Sequence, residues 1–357
     1  MRASPSKPDK AGAAALLRAA FAGPLNVGLT LACAALLAAA LPPLWQWAVQ
    51  DATWRGSAAD CRAGAGACWA FIGEKFWMSI FGLYPYEERY RPAITLTLFA
   101  TLAGLSTIRA LWSRKLLYAW LAAAIVMFAL MMGGFAGMPA VPTRLWGGMT
   151  VTVFIAVFGL AAGYPLAILL ALGRRSELPI LRYACIGLIE GVRGVPLVSL
   201  IFMAAILLPL FAPAGTNIDQ LVRVQVAYTI FSAAYMAEVI RGGLQGLDRG
   251  QYEAAKSLGL SYWPTTRLIV LPQALKATIP SQVNTFITLF KDTTLVVIVG
   301  IFDFFTTLRA AMGDSQWQGF EVEGYLYTAT VYFTLCFVMS SYSRYLERVL
   351  SPERARR

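Results

Sequence analysis

Long apolar runs broken by short polar intervals dominate this chain. A helix of roughly 20 apolar residues is what a bilayer demands, because backbone amides left unpaired in hydrocarbon are costly. Such runs fall at approximately Leu25–Leu44, Pro92–Trp112, Leu116–Met138, Gly147–Leu172, Val195–Phe211, Leu221–Arg241, Ala277–Phe302 and Tyr325–Tyr342. They predict an all-α integral membrane fold with about eight transmembrane helices. A short basic turn at Ser113-Arg114-Lys115 makes the second and third spans a tight hairpin, and Pro139, Pro142 and Gly147-Gly148 punctuate the chain before the fourth. Between the first two spans, residues 50–91 carry several tryptophans and the run Tyr84-Pro85-Tyr86-Glu87-Glu88-Arg89. Aromatics of this kind sit at headgroup depth, so the segment reads as an extracytoplasmic lid or short interfacial helices, with partner docking as the other option.

These boundaries organise the chain into a cytoplasmic tail over 1–24, three peripheral spans over 25–146, a five-span remainder over 147–348 and a basic cytoplasmic C-terminus over 349–357. The first ten residues, rich in Ser, Pro and Lys, read as a tail without fixed structure. The run that follows is long enough to span and lacks a small-residue cleavage site, so it is not expected to be a cleaved signal peptide. No internal repeat is evident, which gives no support to a two-fold symmetric single-chain carrier.

One polar interval is conspicuously long, residues 242–275. Asp248 is a good N-cap, and Gln251 three residues on completes a capping-box pattern. Gly259 fits the left-handed position that ends a helix. A helix over Arg249–Leu258 follows, about 15 Å long. Ala254 and Ala255 give it a small face for close docking, Glu253 a charged anchor, and Gly259 a sharp exit. Pro264 then starts a second helical piece, and Leu271-Pro272 the re-entry into the membrane, since proline is tolerated in a first turn.

Composition sharpens this picture. Mean hydropathy is +0.60 and only 14% of residues are charged, far from an ordinary soluble domain. With the N-terminus inside, about 21 of the 30 basic residues fall on cytoplasmic flanks; N-in, C-in is the orientation this selects. The net charge of +11 is thus mainly a topology signal aided by anionic lipid. Basic residues scattered over many loops form no stripe for nucleic acid.

The chain has no histidine, which excludes His-based zinc sites, Ser-His-Asp triads and imidazole relays. No metal site is expected. A phosphate-binding Gly-rich loop ending in Gly-Lys-Ser or Gly-Lys-Thr is missing too, so any energy must come from a partner. Of five cysteines, Cys33, Cys185 and Cys336 lie in or beside apolar runs, where a thiol usually just packs. Cys61 and Cys68 flank a Gly-containing loop placed outside, where either a disulfide or two free thiols fit.

The spacing Glu253-Ala254-Ala255, then Gly259, then Ile269 and Leu271-Pro272 resembles the EAA loop of bacterial ABC-importer permeases, which docks on a separate ATP-hydrolysing subunit. The likeness widens to Arg193-Gly194-Val195-Pro196-Leu197-Val198, to 234–243 and 250–255, to Leu271-Pro272-Gln273-Ala274-Leu275, and to Leu289-Phe290-Lys291-Asp292-Thr293-Thr294-Leu295. In that order, over about residues 147–343, these blocks resemble the histidine/glutamine/polar-amino-acid branch of ABC permeases. Residues 64–69 and 84–91 further resemble the larger permease of broad-range L-amino-acid importers, with three extra N-terminal helices before a type I five-helix core. Ser199 stands where many relatives carry glutamine.

The resemblance implies a bacterial inner-membrane protein that pairs with a second, homologous permease. It further implies a homodimer of ATPases on the cytoplasmic face, holding ATP and Mg²⁺, and a periplasmic amino-acid-binding protein. No cofactor is implied on this chain, and catalysis is left to the partner. The coupling residues it implies are Glu253, Ala254, Ala255, Leu258 and Gly259.

Charges inside spans are costly and invite a functional reading. Thr285, Thr288 and Asp292 recur at i, i+3 and i+7 and share one helix face. With Lys291 they form either a solute pathway, Asp292 accepting an ammonium group, or a bundle-holding polar seam. Ser232 and Tyr235 on the sixth span and Ser199 on the fifth are further pathway candidates, the alternative being bonds to backbone carbonyls. Glu190, Arg193, Glu238 and Arg241, near cytoplasmic ends of spans, read as gate or brace ion pairs. An ion-coupled secondary carrier acting without an ATPase is the competing class.

Overall fold

The computed structural model describes Arg18, residues 20–211, Pro213 and residues 218–350. The expected tail over 1–10 and the end of the basic C-terminus, 351–357, lie outside the described residues. No strand forms among the described residues; the only extended pairings are isolated bridges, Thr53 with Cys68 and Gly148 with Asp303. The chain divides into two compact units between Glu74 and Lys75.

In the first unit, α1 (Pro24–Trp45) begins with proline in its first turn and ends through a π-helical turn, Gln46–Gln50, directly after Pro42 and Pro43. Prolines cannot donate to the ladder, yet the Gln46 amide still reaches the Pro42 and Pro43 carbonyls before the π turn opens. The 50–91 segment consists of short helices. Helix α2 (Ala58–Ala63) opens with a capping box in which the Asp60 carboxylate accepts from the Ser57 amide at 2.7 Å. That bond holds the Asp60 carboxyl below its ordinary pKa. Cys61 and Cys68 are joined as a disulfide, Cα–Cα 5.4 Å, and the Trp69 indole donates to the Ala48 carbonyl at 2.7 Å. Helix α3 (Trp69–Phe81) follows, and the division between the units falls within it.

In the second unit, α4 (Tyr90–Ser106) and α5 (Arg114–Met132) form the expected hairpin. One end of the hairpin is clamped by Arg91, which is 0% exposed. The guanidinium donates to the carbonyls of Leu130 at 2.7 Å and Pro139 at 2.9 Å and pairs with Glu88 at 3.1 Å. Tyr84, under the same guanidinium, donates its phenol to Met131 O at 2.9 Å. Burial pushes that phenol up to about 12. The aromatic run at 84–91 is thus an internal clamp as well as a surface feature.

Helix α6 (Gly148–Gly173) and α9 (Gln220–Gln245) make the central pair. Gly159 and Gly163, four apart, face Tyr228 and Thr229 so closely that a Cβ on Gly159 would lie 2.3 Å from the Tyr228 ring. Small residues at this spacing let membrane helices approach backbone to backbone. Helix α7 (Pro179–Arg193) and the helical run α8 (Leu197–Phe211) meet at a 103° bend. Gly194-Val195-Pro196 forms the corner. Helix α10 (Arg249–Ser257) stands in the long loop. The run α11 comprises Tyr262–Pro264, a π segment Thr265–Val270 and Leu271–Ala277. Helix α12 (Ile279–Asp292) continues as a 3₁₀ segment to Val299. Helices α13 (Phe304–Met312) and α14 (Glu321–Leu350) complete the fold.

Among the described residues, five helical segments are long and apolar enough to cross a membrane: Pro24–Gln50, Arg114–Met132, Gly148–Gly173, Ile279–Val299 and Glu321–Leu350; the bent α7–α8 pair makes a sixth if counted as one span. The other expected spans differ for physical reasons. Helix α4 is 17 residues long, and the Ser106 and Thr107 hydroxyls bond back to carbonyls where it ends. Helix α9 has the length, at 26 residues, yet carries Arg223, Gln225, Glu238 and Arg241.

Candidate coupling site and solute path

Helix α10 is built by its caps. The Asp248 carboxylate accepts from the Gly250 amide at 3.1 Å, a cap that contributes about 1 kcal/mol. Gly259 has φ +76°. The Leu260 amide reaches Ala255 O at 3.1 Å and the Gly259 amide Lys256 O at 2.9 Å, the paired bonds of a Schellman ending. Gln251 does not close the expected capping box. Its amide oxygen instead accepts from Gln273 Nε2 at 2.9 Å, tying α10 to α11. The second helical piece begins at Tyr262 rather than Pro264, which sits third in it.

Ala255 is 1% exposed and anchors the back of α10, whereas Glu253, Ala254 and Gly259 lie open and Leu258 is 78% exposed. Behind the helix stands Arg175, which the sequence reading counted only as a topology signal. It donates to Leu244 O at 3.0 Å and to the Tyr252 hydroxyl at 3.2 Å, its guanidinium 5.8 Å from the Tyr252 ring. A residue just past the end of α6 thus contacts the end of α9 and α10 together.

The four charged residues near span ends gather around one carboxylate. Glu238 receives Arg241 Nε at 2.9 Å, Arg174 at 3.2 Å and Arg193 at 3.6 Å, while Arg174 also reaches Glu190 at 2.7 Å. Arg193 lies over the Tyr235 ring at 5.6 Å. Arg174, absent from the sequence-based set, is the bridge between the two acids. The cluster joins the end of α6, at Arg174, to the last turn of α7 and to α9.

The remaining pathway candidates separate. Ser232 is buried and donates to Tyr228 O at 2.7 Å, so it packs within the α6–α9 contact. Tyr235 packs against Phe231 with the rings tilted and their centroids 4.6 Å apart. Ser199 is exposed in the first turn of α8. On α12, Thr285 and Thr288 donate to their own helix, to Ser281 O at 2.9 Å and Asn284 O at 3.1 Å. Asp292 is half-buried and forms no ion pair with Lys291. The open face of α12 is instead Ser281, Asn284, Thr288 and Lys291, at i, i+3, i+7 and i+10. Its opposite side is held by Tyr228, donating to Leu289 O at 2.7 Å, and by Tyr164, donating to Gln282 at 2.8 Å. Ser281 and Asn284 went unread in the sequence although they share the register of Thr288. A lysine at mid-span costs about 2.5–3.5 kcal/mol on insertion scales.

Residues 163–351 match the family described as binding-protein-dependent transport system inner membrane component. The chain is 48% identical over 331 residues to the inner membrane amino-acid ABC transporter permease protein YhdY of Escherichia coli (strain K12), covering 90% of this chain and 89% of that protein. It is 37% identical over 410 residues to the glutamate/glutamine/aspartate/asparagine transport system permease protein BztC of Rhodobacter capsulatus, covering 93% and 92%. A crystal structure of an amino acid ABC transporter with histidines matches at TM-score 0.51 and 28% identity, over 56% of this chain and 91% of that chain. The chain therefore belongs to the binding-protein-dependent transport system inner membrane components, multi-pass permease subunits whose ATPase is a separate protein.

Proposed function

We propose that this chain is the larger permease of an importer that moves L-amino acids into the bacterial cell, driven by an ATPase that docks on α10. The observation that carries the coupling role is the arrangement of α10 itself: Glu253, Ala254 and Leu258 open on one side, Arg175 and Gln273 bracing the other. A push on α10 passes through Tyr252 and Arg175 to the ends of α6 and α9, and through Gln251 and Gln273 along α11 into α12. Short capped helices and direct hydrogen bonds transmit displacement without absorbing it. The relatives named for amino-acid transport support the solute class, and their names lend nothing to a carrier driven by an ion gradient.

In this reading the chain makes eight crossings with both termini inside, five of them a core and three added N-terminally. It pairs with a second, homologous permease. A homodimer of ATPases holds ATP and Mg²⁺ on the cytoplasmic face, a periplasmic binding protein delivers solute, and this chain binds no cofactor. The cluster around Glu238 acts as a brace or gate at the inner ends of α6, α7 and α9.

The test is uptake by the complete assembly in proteoliposomes carrying Glu253→Lys with Gly259→Val. Uptake and binding-protein-stimulated hydrolysis are expected to be lost while the assembly still forms, and the chain alone is expected to hydrolyse no ATP. Retained uptake in the double variant would overturn the coupling role.

A further inference from the structure

Every residue on the open face of α12 is polar: Ser281, Asn284, Thr288 and Lys291. A face turned to lipid tails would be apolar, and backbone-satisfied hydroxyls alone would not require a cation among them. Lys291 lies about 18 Å along the helix from Ile279, at 1.5 Å per residue. Its ammonium forms no salt bridge with a described carboxylate, although the charge of Asp292, the next residue, acts on it. An exposed cation at that depth needs an anion or water opposite it.

We infer that this face lines the aqueous solute path and that Lys291 is the group that receives the solute's carboxylate, with Thr288 and Asn284 supplying neutral hydrogen-bonding groups one and two turns away. The inference rests on the amino-acid import reading and adds the chemistry of recognition: the required feature of the solute is its carboxylate, and its ammonium is met elsewhere. Asp292, on the shoulder of the same helix and half-buried, is not on the open face with Lys291.

Two measurements on the complete assembly test this. In the first, Lys291 is replaced by Arg, Met and Glu and amino-acid uptake is measured. Loss of one charge-assisted contact weakens recognition about 10-fold or more, so uptake is expected to fall in the order Arg, Met, Glu. A purely packing role would instead rank Met best, as the closest in shape to lysine. In the second, the free thiols Cys33, Cys185 and Cys336 are replaced by alanine, and Thr288→Cys is compared with Leu121→Cys on the apolar face of α5. A charged, membrane-impermeant thiol reagent is expected to label Thr288→Cys and not Leu121→Cys, and saturating L-amino acid to slow that labelling.

Equal resistance of both cysteines to labelling, or uptake that ignores the charge at position 291, overturns the inference while leaving amino-acid import in place. A wild-type assembly that moves no amino acid at all overturns the import reading instead, and labelling of Thr288→Cys would then still report a water-lined face. Should a Lys291 variant fail to assemble, the labelling comparison decides on its own.

Discussion

Helices α5 and α12 each leave one side of a membrane-spanning segment uncovered, and the two sides are chemically opposite. On α5 the open residues include Leu117, Leu121, Ile125 and Phe128, with Ala123, Met127 and Met131 closed against the protein. On α12 the closed side carries Leu289 and Phe290 and the open side Ser281, Asn284, Thr288 and Lys291. Exposure therefore means different surroundings for the two: hydrocarbon for α5, water or another polar surface for α12. In a bilayer, the polarity of an uncovered face says more about what lies beyond it than the degree of exposure does.

The largest way to break the comparison acts on the anchor of α5. Arg91→Ala removes a fully buried cation that holds Leu130 and Pro139 carbonyls and leaves Glu88 unpaired. A loss of about 3–5 kcal/mol is expected, read as a drop in the thermal midpoint of the purified assembly; an unchanged midpoint would mean the clamp is redundant. Next, Ile125→Lys puts a charge where hydrocarbon is expected, at about 2.5–3.5 kcal/mol. Membrane-inserted yield should fall, whereas Thr288→Lys on α12 should insert nearly normally. Equal penalties at the two positions would erase the distinction between the faces.

A smaller effect is expected at the charge cluster. Glu238→Gln leaves Arg174, Arg193 and Arg241 facing one another, and because these side chains are partly exposed the cost is about 1–2 kcal/mol. Thermal melts in low and high salt should show the deficit shrinking as salt rises. The smallest effect concerns Lys75 and Asp314, 2.7 Å apart. The lysine holds the Asp314 carboxyl below its ordinary value of 3.8, so the stabilisation is present above that value and is lost as pH falls through the lowered one. Lys75→Met should therefore melt slightly below wild type at neutral pH, with the gap closing in acid; a gap that persists in acid would point to packing instead.

Local chemistry explains what the sequence disclosed. Asp248 and Gly259 delimit α10 because capping depends on a few neighbouring residues, and the EAA spacing sits on that frame. Gln251 escaped because its choice between its own helix start and Gln273 is decided by a segment some 22 residues away. Glu190, Arg193, Glu238 and Arg241 were visible as charges near span ends, but Arg174 and Arg175 were absorbed into the inside-positive count, which hides individual partners. The stripe on α12 was legible in register and not in direction, since Tyr228 and Tyr164 fix which side of it is closed. The 103° corner at Gly194-Val195-Pro196 left no trace in hydropathy, which measures length and not direction. The Gly159 and Gly163 pair was readable in principle from its four-residue spacing.

The most direct test of the coupling role is proximity. With Ala254→Cys in a background lacking the three free thiols, a short bifunctional thiol reagent should join this chain to the ATP-hydrolysing subunit in the working assembly, and the joined species should lose uptake. Full uptake by an assembly in which Ala254→Cys stays accessible to bulky reagents throughout turnover would contradict it.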